Sequence, residues 1–312
     1  MIEIIARSEA MSEAVRLADR VAGTDANVLI TGESGVGKDA LAFYIHTQSA
    51  RAAQSFVKID CATLPSGLLE AELFGYERGA FTGAGEEKPG RLEASHRGTL
   101  VLDEIAYLSI ESQAKLLRVI ETREFERLGG RKLIKVDARL IALTNVDLAD
   151  AIKRRQFRED LYHRLHVVHI TVPPLRERAD DLHELTQAFA RVYAAKHGRH
   201  ASDVSAEALA LLGAYEFPGN VRELANTVER AVIVSTGRQI EVNDLPESIR
   251  AAVRRQQQRV KPQTLAEVEA DYVAEILALA KGNKAEAARV LGISRKSLHE
   301  RLARNERMRD EG

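Results

Sequence analysis

Hydrophobic positions in the first 175 residues fall into short runs, each of which precedes a turn or a helical pattern. Near-continuous apolar strands that alternate with helices are typical of a parallel sheet covered by helices on both faces. Residues 109–121 carry apolar side chains at helical spacing, as expected for one of those helices. The pattern predicts an α/β domain over residues 1–174, with strands at 27–31, 56–59, 99–102, 138–143 and 167–172.

The pattern changes after residue 174. Strand signals vanish, and apolar residues recur at helical spacing through residue 235, which predicts a small helical lid domain over residues 175–247. Residues 248–262 are polar and basic with little apolar periodicity, so they are interpreted as a linker. Helical spacing then returns and predicts a third domain over residues 263–312.

Composition excludes some classes of function. A chain of 312 residues with 45% hydrophobic and 29% charged residues is ordinary for a soluble protein of two or three domains. The formal net charge of -1 means that any nucleic-acid surface is local. The single cysteine, Cys61, supports neither an intramolecular disulfide nor a metal cluster. Without an apolar run of about 18 residues or a signal-peptide core, a cytoplasmic protein with no membrane partner is expected.

Glycines after the first predicted strand indicate a phosphate-binding loop. Such glycines let backbone N–H groups turn toward phosphate oxygens, and the N-terminus of the following helix adds a favourable dipole. A glycine-rich turn could also simply join a strand to a helix, but here strand, GxxxxGK and helix occur in the required order. Lys38 is expected to reach the β- and γ-phosphates of ATP. The predicted nucleotide-binding residues are Gly32, Glu33, Ser34, Gly35, Val36, Gly37, Lys38 and Asp39.

A second part of such a site should be an apolar strand that ends in acid, and the strand 99–102 is followed by Asp103 and Glu104. Asp103 is expected to orient Mg²⁺ and its waters, and Glu104 to polarise the attacking water. An Asp-Glu pair can also be a plain helix cap, although a phosphate loop upstream favours the catalytic interpretation. Asn145, at the end of the next strand, is expected to sense the γ-phosphate. The cofactors expected are therefore ATP and Mg²⁺.

The C-terminal pattern predicts a helix-turn-helix. Asn283 is expected to cap the first helix, with Glu286 as its capping-box partner, and Gly292 and Ser294 separate and cap the second helix. Residues 281–312 hold nine Lys or Arg against five Asp or Glu, which is a local basic excess. A solvated helical hairpin is the alternative. The residues expected to face DNA are Arg295, Lys296, Ser297, His299 and Arg301.

With these parts in place, residues 4–305 resemble the sigma-54-dependent activators, also called bacterial enhancer-binding proteins. The most specific element is Glu-Leu-Phe-Gly-Tyr-Glu-Arg-Gly-Ala-Phe-Thr-Gly-Ala at 72–84, which resembles the GAFTGA loop of that family. Small residues around one exposed Phe suit a mobile loop whose aromatic tip binds a partner. The resemblance implies that sigma-54 is contacted by Gly79, Ala80, Phe81, Thr82, Gly83 and Ala84.

Two further segments match the family. Phe-Arg-Glu-Asp-Leu-Tyr-His-Arg-Leu at 157–165 resembles its arginine-finger segment, which implies that Arg158 and Arg164 reach the γ-phosphate bound by a neighbouring subunit. A site shared in this way implies a ring, expected to be a hexamer, with seven subunits left open. Phe-Pro-Gly-Asn-Val-Arg-Glu-Leu at 217–224 resembles the lid motif whose arginine, here Arg222, senses nucleotide. The expected fold is an AAA+ P-loop parallel sheet with helices on both faces, a small helical lid and a C-terminal helix-turn-helix.

The sequence departs from the family pattern in three places. Asp39 replaces the hydroxyl of the general phosphate-loop pattern, although acid is usual there in this family. Asp60 stands where the family usually has an Asn that is thought to hold the catalytic glutamate away until sigma-54 engages. Because a carboxylate cannot donate a hydrogen bond to Glu104 unless one of the two is protonated, we hypothesise that this switch is altered. Phe217 replaces the usual Trp and should preserve the packing.

The C-terminal segment also resembles the Fis-type domain of these activators, which implies dimerisation and recognition of a two-fold DNA site. The helix expected to pair carries an apolar stripe of Leu265, Val268, Tyr272, Ile276 and Leu279. His163, His166 and His169 recur every third residue, but they lie across the finger segment and a predicted strand. No metal site is expected from them.

The resemblance implies an activator that binds enhancer DNA, assembles into a ring, and hydrolyses ATP to convert the closed complex of sigma-54 RNA polymerase to the open complex. The alternative is a DNA-binding AAA+ regulator that does not engage sigma-54, which would have lost the GAFTGA loop. A general AAA+ remodeller would lack both this loop and the helix-turn-helix. The sequence holds no receiver or ligand-sensing pattern ahead of the α/β domain. Either a regulatory partner acts in trans, or the chain is a piece of a longer regulator.

Overall fold

The structure is a computed structural model that describes residues 4–260, 265–280, 282–298 and 300–302. The chain forms two compact units, Met1–Glu247 and Ser248–Gly312. Its strands are β1 (Val28–Thr31), β2 (Phe56–Asp60), β3 (Gly75–Tyr76), β4 (Lys88–Pro89), β5 (Thr99–Asp103), β6 (Glu124–Phe125), β7 (Ile134–Lys135), β8 (Arg139–Thr144), β9 (Val168–Thr171), β10 (Asp203–Val204) and β11 (Gln239–Ile240).

The helices cover both faces of the sheet and form the two C-terminal parts of the chain. In chain order they are α1 (Glu9–Ala22), α2 (Lys38–Thr47), α3 (Ser66–Phe74), α4 (Arg91–Ala94), α5 (Ile110–Thr122), α6 (Leu148–Lys153), α7 (Glu159–Leu165), α8 (Ala179–His197), α9 (Ala206–Gly213), α10 (Asn220–Val234), α11 (Glu247–Val260), α12 (Leu265–Leu279) and α13 (Lys284–Val290). Among the described helices, none has the length and apolar character needed to cross a membrane.

The central sheet has five parallel strands in the order β2-β5-β8-β1-β9. All five strands predicted from the hydrophobic runs are found, and the predicted parallel sheet is confirmed. Because every strand runs in the same direction, their carboxyl ends lie along one edge. The register places Asp60 beside Asp103 and Thr31 beside Thr144 at that edge. Polar residues that follow different strands are thereby brought together.

Two apolar layers, one on each face, fix the sheet. In β5, Leu100 and Leu102 pack into one buried cluster with Leu116 of α5, whereas Val101 points to the other face and packs with Leu41 of α2. This alternation follows from the two-residue period of a strand. Each such fully buried side chain contributes about 1.5–3 kcal/mol, so the strands that carry the site are held rigidly.

The helical lid follows the sheet and belongs to the same unit. Its long helix α8 packs against α10, and α9 lies beside α8. The expectation that strands end with the α/β domain is wrong in one detail, because β10 and β11 pair in parallel inside the lid. Each of these strands has only two residues, too few for a period-two pattern to show.

A buried ion pair fastens the first lid helix to the rest of the unit. Asp181 in α8 is fully buried and lies 2.7 Å from the guanidinium of Arg178. It also accepts hydrogen bonds from the Ser8 N–H at 2.8 Å and the Ser8 hydroxyl at 2.9 Å. Burial alone would raise the pKa of Asp181, but the hydrogen bonds from Arg178 and Ser8 outweigh it and hold this pKa below its ordinary value. Arg178 also donates to the Ile5 and Val36 carbonyls, which connects the lid to the phosphate loop.

Replacing the buried carboxylate should therefore destabilise this unit strongly. In Asp181→Asn the guanidinium of Arg178 loses its counter-ion while only 3% exposed, and breaking a buried pair in this way costs about 3–5 kcal/mol. The matched control is Asp180→Asn, an exposed acid one residue earlier, which should change stability by less than ~0.5 kcal/mol. Urea unfolding followed by circular dichroism measures both. Equal unfolding midpoints for the two variants would contradict the assigned role.

The second unit is helical. Helix α11 covers most of the segment interpreted as a linker, so that segment is helical over its first part. After α12 and α13, helical structure resumes at residues 295–298 and 300–302. Ala287 and Ala288 are buried against Val273, Ile276 and Leu298, and they form the core of the expected helix-turn-helix.

Candidate functional site

The phosphate loop leaves β1 and turns into α2 through glycines in the left-handed region. Gly35 has φ of +79°, and a Cβ there would lie 2.4 Å from the carbonyl oxygen of Gly219 in the lid. Gly37 has φ of +105° and immediately precedes the first residue of α2. Only glycine adopts these conformations at no steric cost, so the loop can bend while its lid-facing side stays in contact with the lid.

Lys38 is the first residue of α2, and its side chain folds back over the loop. The ammonium donates to the Gly32 carbonyl at 2.8 Å and to the Glu33 carbonyl at 3.1 Å, and it lies 3.8 Å from the Glu104 carboxylate. Burial lowers the pKa of Lys38, although Glu104 and Asp103 oppose this effect. The loop therefore presents a buried cation at the place where phosphate is expected.

A cavity of about 450 Å³ opens in front of this lysine. The sheet contributes Asp60, Asp103 and Glu104 from the carboxyl ends of β2 and β5, and α2 contributes Asp39. The lid closes the other side. The lining residues are Ser34, Gly35, Gly37, Lys38, Asp39, Ala40, Asp60, Ala62, Asp103, Glu104, Phe189, Val221, Arg222 and Ala225.

The acids of the cavity suit a magnesium ion that arrives with a phosphate. Within the described part of the chain, no three His, Cys, Asp or Glu side chains form a complete metal cage. Mg²⁺ needs no such cage, since it is usually bound by one or two carboxylates together with substrate phosphates and waters. Asp39 and Asp103 supply oxygen donors of this kind. The residues present therefore fit the ion.

Glu104 is held away from free solvent by the end of the neighbouring strand. It lies directly after β5 with φ of +53°, and its carboxylate accepts from the Asn145 N–H at 3.1 Å and from the Thr144 hydroxyl at 3.4 Å. Asn145 thus contacts Glu104 through its backbone, while its exposed side chain is outside the lining of the cavity. The end of β8 thus contacts the residue that was expected to polarise the attacking water.

Asp60 has a different partner from the one that the family pattern suggests. Its carboxylate accepts from the Ala62 N–H at 2.8 Å, in the turn that follows β2. The partners of Glu104 are instead Lys38, Thr144 and Asn145. Asp60 and Glu104 therefore have separate partners in this structure, and the altered switch stays a hypothesis.

The lid reaches the phosphate loop through several hydrogen bonds. The Arg222 guanidinium donates to the Ser34 hydroxyl at 2.9 Å, and the Arg222 N–H donates to the Gly35 carbonyl at 3.2 Å. Glu33 accepts from Arg176 at 2.7 and 3.0 Å and from the Asn220 amide at 3.0 Å. Hydrogen bonds from Arg176 and Asn220 lower the pKa of Glu33 to about 2. The loop is therefore tied to the lid at both Glu33 and Ser34.

The Glu33 contacts predict an acid-sensitive attachment of the lid. Because the folded pKa is depressed, the stabilisation is present above the ordinary value of 4.5 and is lost as the pH falls toward about 2. Wild type should therefore lose more stability than Glu33→Gln over this window, and the two should converge below it. The control is Glu177→Gln, an exposed acid 3.9 Å from the same Arg176. The urea unfolding midpoints of the variants are measured at decreasing pH from 7. Midpoints of wild type and Glu33→Gln that fall in parallel with pH would contradict the prediction.

The two candidate finger arginines lie at opposite ends of α7, outside the lining of this cavity. Arg158 lies at the N-cap position and pairs with Asp160 at 2.7 Å, and Arg164 pairs with Glu121 at 3.0 Å. Their side chains are 37% and 60% exposed, respectively. Both are therefore accessible from outside the protomer, each held by a weak surface ion pair.

The glycine-rich loop at 79–84 projects from the ribbon of β3 and β4. Its ends are closed by a hydrogen bond from the Gly79 N–H to the Ala84 carbonyl at 2.8 Å. Phe81 is 42% exposed, and its ring packs edge-on against Tyr76 with the ring centroids 5.0 Å apart. Thr82 and Gly83 are exposed beside it. The loop thus displays one aromatic ring on a small-residue turn.

In the second unit, the predicted caps of the helix-turn-helix are confirmed in part. The Asn283 side chain accepts from the Ala285 and Glu286 N–H groups, and the Ser294 hydroxyl accepts from the Ser297 N–H at 3.1 Å. The expected capping box is wrong, because Glu286 pairs with Arg289. The Asn283 N–H, which that box would have used, donates to the Ala280 carbonyl.

The expected DNA-facing residues are placed differently from one another. Arg295 and Lys296 are exposed, and Ser297 is half-buried. Arg301 forms an ion pair with Glu269 of α12, so its charge is partly used within the unit. His299 lies outside the described residues. On α12, Tyr272 and Leu279 are 54% and 72% exposed, whereas Ile276 belongs to the core.

Together, the parallel sheet, the phosphate loop at the end of β1, the acids at the end of β5 and the lid that contacts the loop define a P-loop nucleoside triphosphatase of the AAA+ class. Three family models match successive parts of the chain: the sigma-54 interaction domain over residues 4–171, the AAA+ ATPase lid domain over 176–262, and the Fis family of bacterial regulatory proteins over 264–304. The chain belongs to the family of sigma-54-dependent transcriptional activators.

Known proteins of this kind resemble the chain over nearly all of its length. The transcriptional regulatory protein FlbD of Caulobacter vibrioides is 44% identical, across 96% of this chain and 69% of that protein. The regulatory protein AtoC of Escherichia coli is 43% identical, across 96% of this chain and 67% of that protein. The crystal structure of NtrX from Brucella abortus in complex with ATP superimposes with a TM-score of 0.73 at 36% identity, covering 98% of this chain and 69% of that one.

Sequence reasoning missed several residues that shape the site. Lys58 on β2 contacts two acids of the cavity, and Arg176 and Asn220 bind Glu33. For Asn220 the sequence holds one signal, namely the Pro-Gly pair that precedes it. In the structure its φ is +52°. For Lys58, the one signal in the sequence is that a charged residue interrupts an apolar strand.

Proposed function

We propose that this protein is a sigma-54-dependent activator that assembles into a ring, hydrolyses ATP and uses that energy to convert the closed complex of sigma-54 RNA polymerase to the open complex. The observation that carries the proposal is one cavity where a buried lysine, paired acids and a lid arginine meet, in a chain that displays Phe81 on a separate loop. A regulator that binds DNA without engaging sigma-54 would have no use for that exposed ring.

In the proposed site, Lys38 exchanges its two loop carbonyls for β- and γ-phosphate oxygens. Such an exchange is favourable because a buried ammonium gains a charged partner in place of neutral ones. Backbone N–H groups of residues 32–37 face the remaining oxygens, and Arg222 contacts the nucleotide from the lid. Asp39 and Asp103 would hold Mg²⁺, and the ion would neutralise negative charge on the phosphates.

Glu104 is the proposed general base. Its carboxylate lines the cavity, and the oxygen that now accepts from Asn145 and Thr144 must be released if it is to accept a proton from the attacking water. This movement of Glu104 breaks its hydrogen bond with the Asn145 N–H at the end of β8. Position 145 is therefore proposed to sense the γ-phosphate. Arg158 and Arg164 are proposed to enter the site of a neighbouring protomer and stabilise the charge that develops there.

The C-terminal unit is proposed to bind enhancer DNA as a dimer. Arg295 and Lys296 are free to contact DNA, and the exposed Tyr272 and Leu279 lie seven residues apart on one face of α12, where a second copy can cover them. Arg301 would first have to leave Glu269. Residues 1–174 and 175–247 then serve as the nucleotide-binding part, and 263–312 as the DNA-binding part.

The sigma-54 contact gives the direct test. Purified sigma-54 is mixed with the full chain, ADP and aluminium fluoride, and stable complexes are separated by native electrophoresis. Phe81→Ala should weaken the complex by roughly 30-fold, since central aromatic contacts are worth about 2 kcal/mol or more. Its ATPase rate should stay unchanged.

The matched control is Tyr107→Ala, which removes another exposed aromatic ring that lies outside the loop. This variant should bind sigma-54 like wild type. A wild-type chain that hydrolyses ATP but forms no complex under any nucleotide condition would favour the alternative, a DNA-binding AAA+ regulator that does not engage sigma-54.

A further inference from the structure

Lys58 lies at the centre of β2, and its side chain extends along the sheet toward α2. Its ammonium is 2.5 Å from the Asp39 carboxylate and 2.8 Å from the Asp103 carboxylate. Asp39 and Asp103 come from different elements, the first turn of α2 and the end of β5. One cation thus bridges the two acids that fit a magnesium ion.

The charges around the cavity explain why such a bridge is needed. Four carboxylates line it, against the cations Lys38 and Arg222 in the same lining. Asp39 adds one of these negative charges at a position where the general phosphate-loop pattern has a neutral hydroxyl. Without Lys58, Asp39 and Asp103 would face each other with no cation between them. The side chain of Asp103 is only 16% exposed, so water would screen this repulsion poorly.

An ammonium and a magnesium ion cannot both occupy the space between these oxygens. Mg²⁺ demands oxygen ligands at about 2.0–2.1 Å in near-octahedral geometry, whereas the ammonium already lies within hydrogen-bonding distance of both acids. When the metal arrives, Lys58 must release at least one carboxylate. Its side chain is 36% exposed, so the released ammonium can be hydrated.

We propose that Lys58 is a built-in counter-cation of the magnesium site, which pairs Asp39 with Asp103 in the absence of metal and yields them to Mg²⁺ when nucleotide binds. This inference rests on the proposed function, because it requires that nucleotide and metal bind in this cavity. Two effects follow. Lys58 supports nucleotide binding when metal is absent, and it raises the Mg²⁺ concentration at which the metal takes its place.

Lys58→Met removes the charge and keeps an unbranched side chain that is one atom shorter. Binding of a fluorescent ADP analogue to the full chain is measured in EDTA and across a Mg²⁺ series. In EDTA the affinity of the variant should fall by about five- to tenfold, because the phosphates then face the same acids with one cation fewer. The Mg²⁺ concentration for half-maximal enhancement of binding should fall by a similar factor, since no ammonium competes.

The control is Lys115→Met, a lysine of similar exposure that pairs with Glu70 outside the cavity lining. It should match wild type in both measurements. An equal loss of affinity with and without Mg²⁺ in Lys58→Met would overturn the proposal, because Lys58 would then contact the nucleotide itself. A higher Mg²⁺ requirement, or no change, would also overturn it.

Two further measurements separate this proposal from other failures. A chain that binds no nucleotide as wild type and as Lys115→Met contradicts the proposed function itself. Where Lys58→Met binds weakly because it is poorly folded, its circular dichroism melt shows this, and Lys58→Gln takes its place. In an Asp39→Ser background the charge that Lys58 balances is gone, so Lys58→Met should change the Mg²⁺ requirement by less than twofold. An undiminished effect there would contradict the pairing.

Discussion

Glu104→Gln is expected to lower the ATPase rate by about 10²–10⁴-fold while nucleotide binding is retained. The substitution keeps the shape of the side chain and an oxygen that can accept from the Asn145 N–H, now 3.1 Å away. What it removes is the capacity to take a proton from the attacking water. Phosphate release measured beside ADP binding on the same preparation separates the loss of chemistry from the loss of the site.

Asp60→Asn is the control for that experiment, since its carboxylate lines the same cavity but binds the Ala62 N–H. A change of less than about tenfold is expected, because the Asn side chain can still accept that bond. The same variant tests the altered switch, because identical ATPase rates of wild type and Asp60→Asn, with and without sigma-54, would contradict that hypothesis. A loss as large as that of Glu104→Gln would contradict the special role of Glu104.

The nucleotide site could be predicted because its main parts are continuous in the sequence. Glycines and Lys38 lie between a strand and a helix, and Glu104 follows a buried strand directly. In a parallel sheet, residues after different strands share one edge, so their meeting follows from the fold class alone. The observed order β2-β5-β8-β1-β9 places β8 between β5 and β1, which is why Asn145 meets Glu104.

Contacts between distant side chains could not be predicted in this way. Lys58 is 19 residues from Asp39 and binds it across the layer between the sheet and α2. Within one strand, a polar residue in an apolar run could equally be an edge position that faces water. The same reason applies to Arg301, which was expected to face DNA but whose pairing with Glu269 depends on how α12 packs.

Arg164→Ala is expected to lower the ATPase rate by about 10³–10⁵-fold, the effect known for fingers that stabilise the transition-state charge. Arg164 lies outside the lining of the cavity of its own chain, and its ion pair with Glu121 is exposed and easily broken. The loss alone would not show that the arginine acts in trans. A mixture of Arg164→Ala and Glu104→Gln chains tests this, because the first chain supplies Glu104 and the second supplies Arg164.

At an interface where the Arg164→Ala chain provides Glu104 and the Glu104→Gln chain provides Arg164, the shared site is complete. Activity should therefore reappear on mixing two inactive proteins and rise with total protein concentration. The control is a chain that carries both substitutions. Mixed with either single variant, it should not raise the ATPase rate above that of the single variant alone. An arginine that acted within its own chain would leave every mixture inactive, since no protomer would hold both groups. Restored activity would thus connect the exposed ends of α7 to a ring in which each site is built by two protomers.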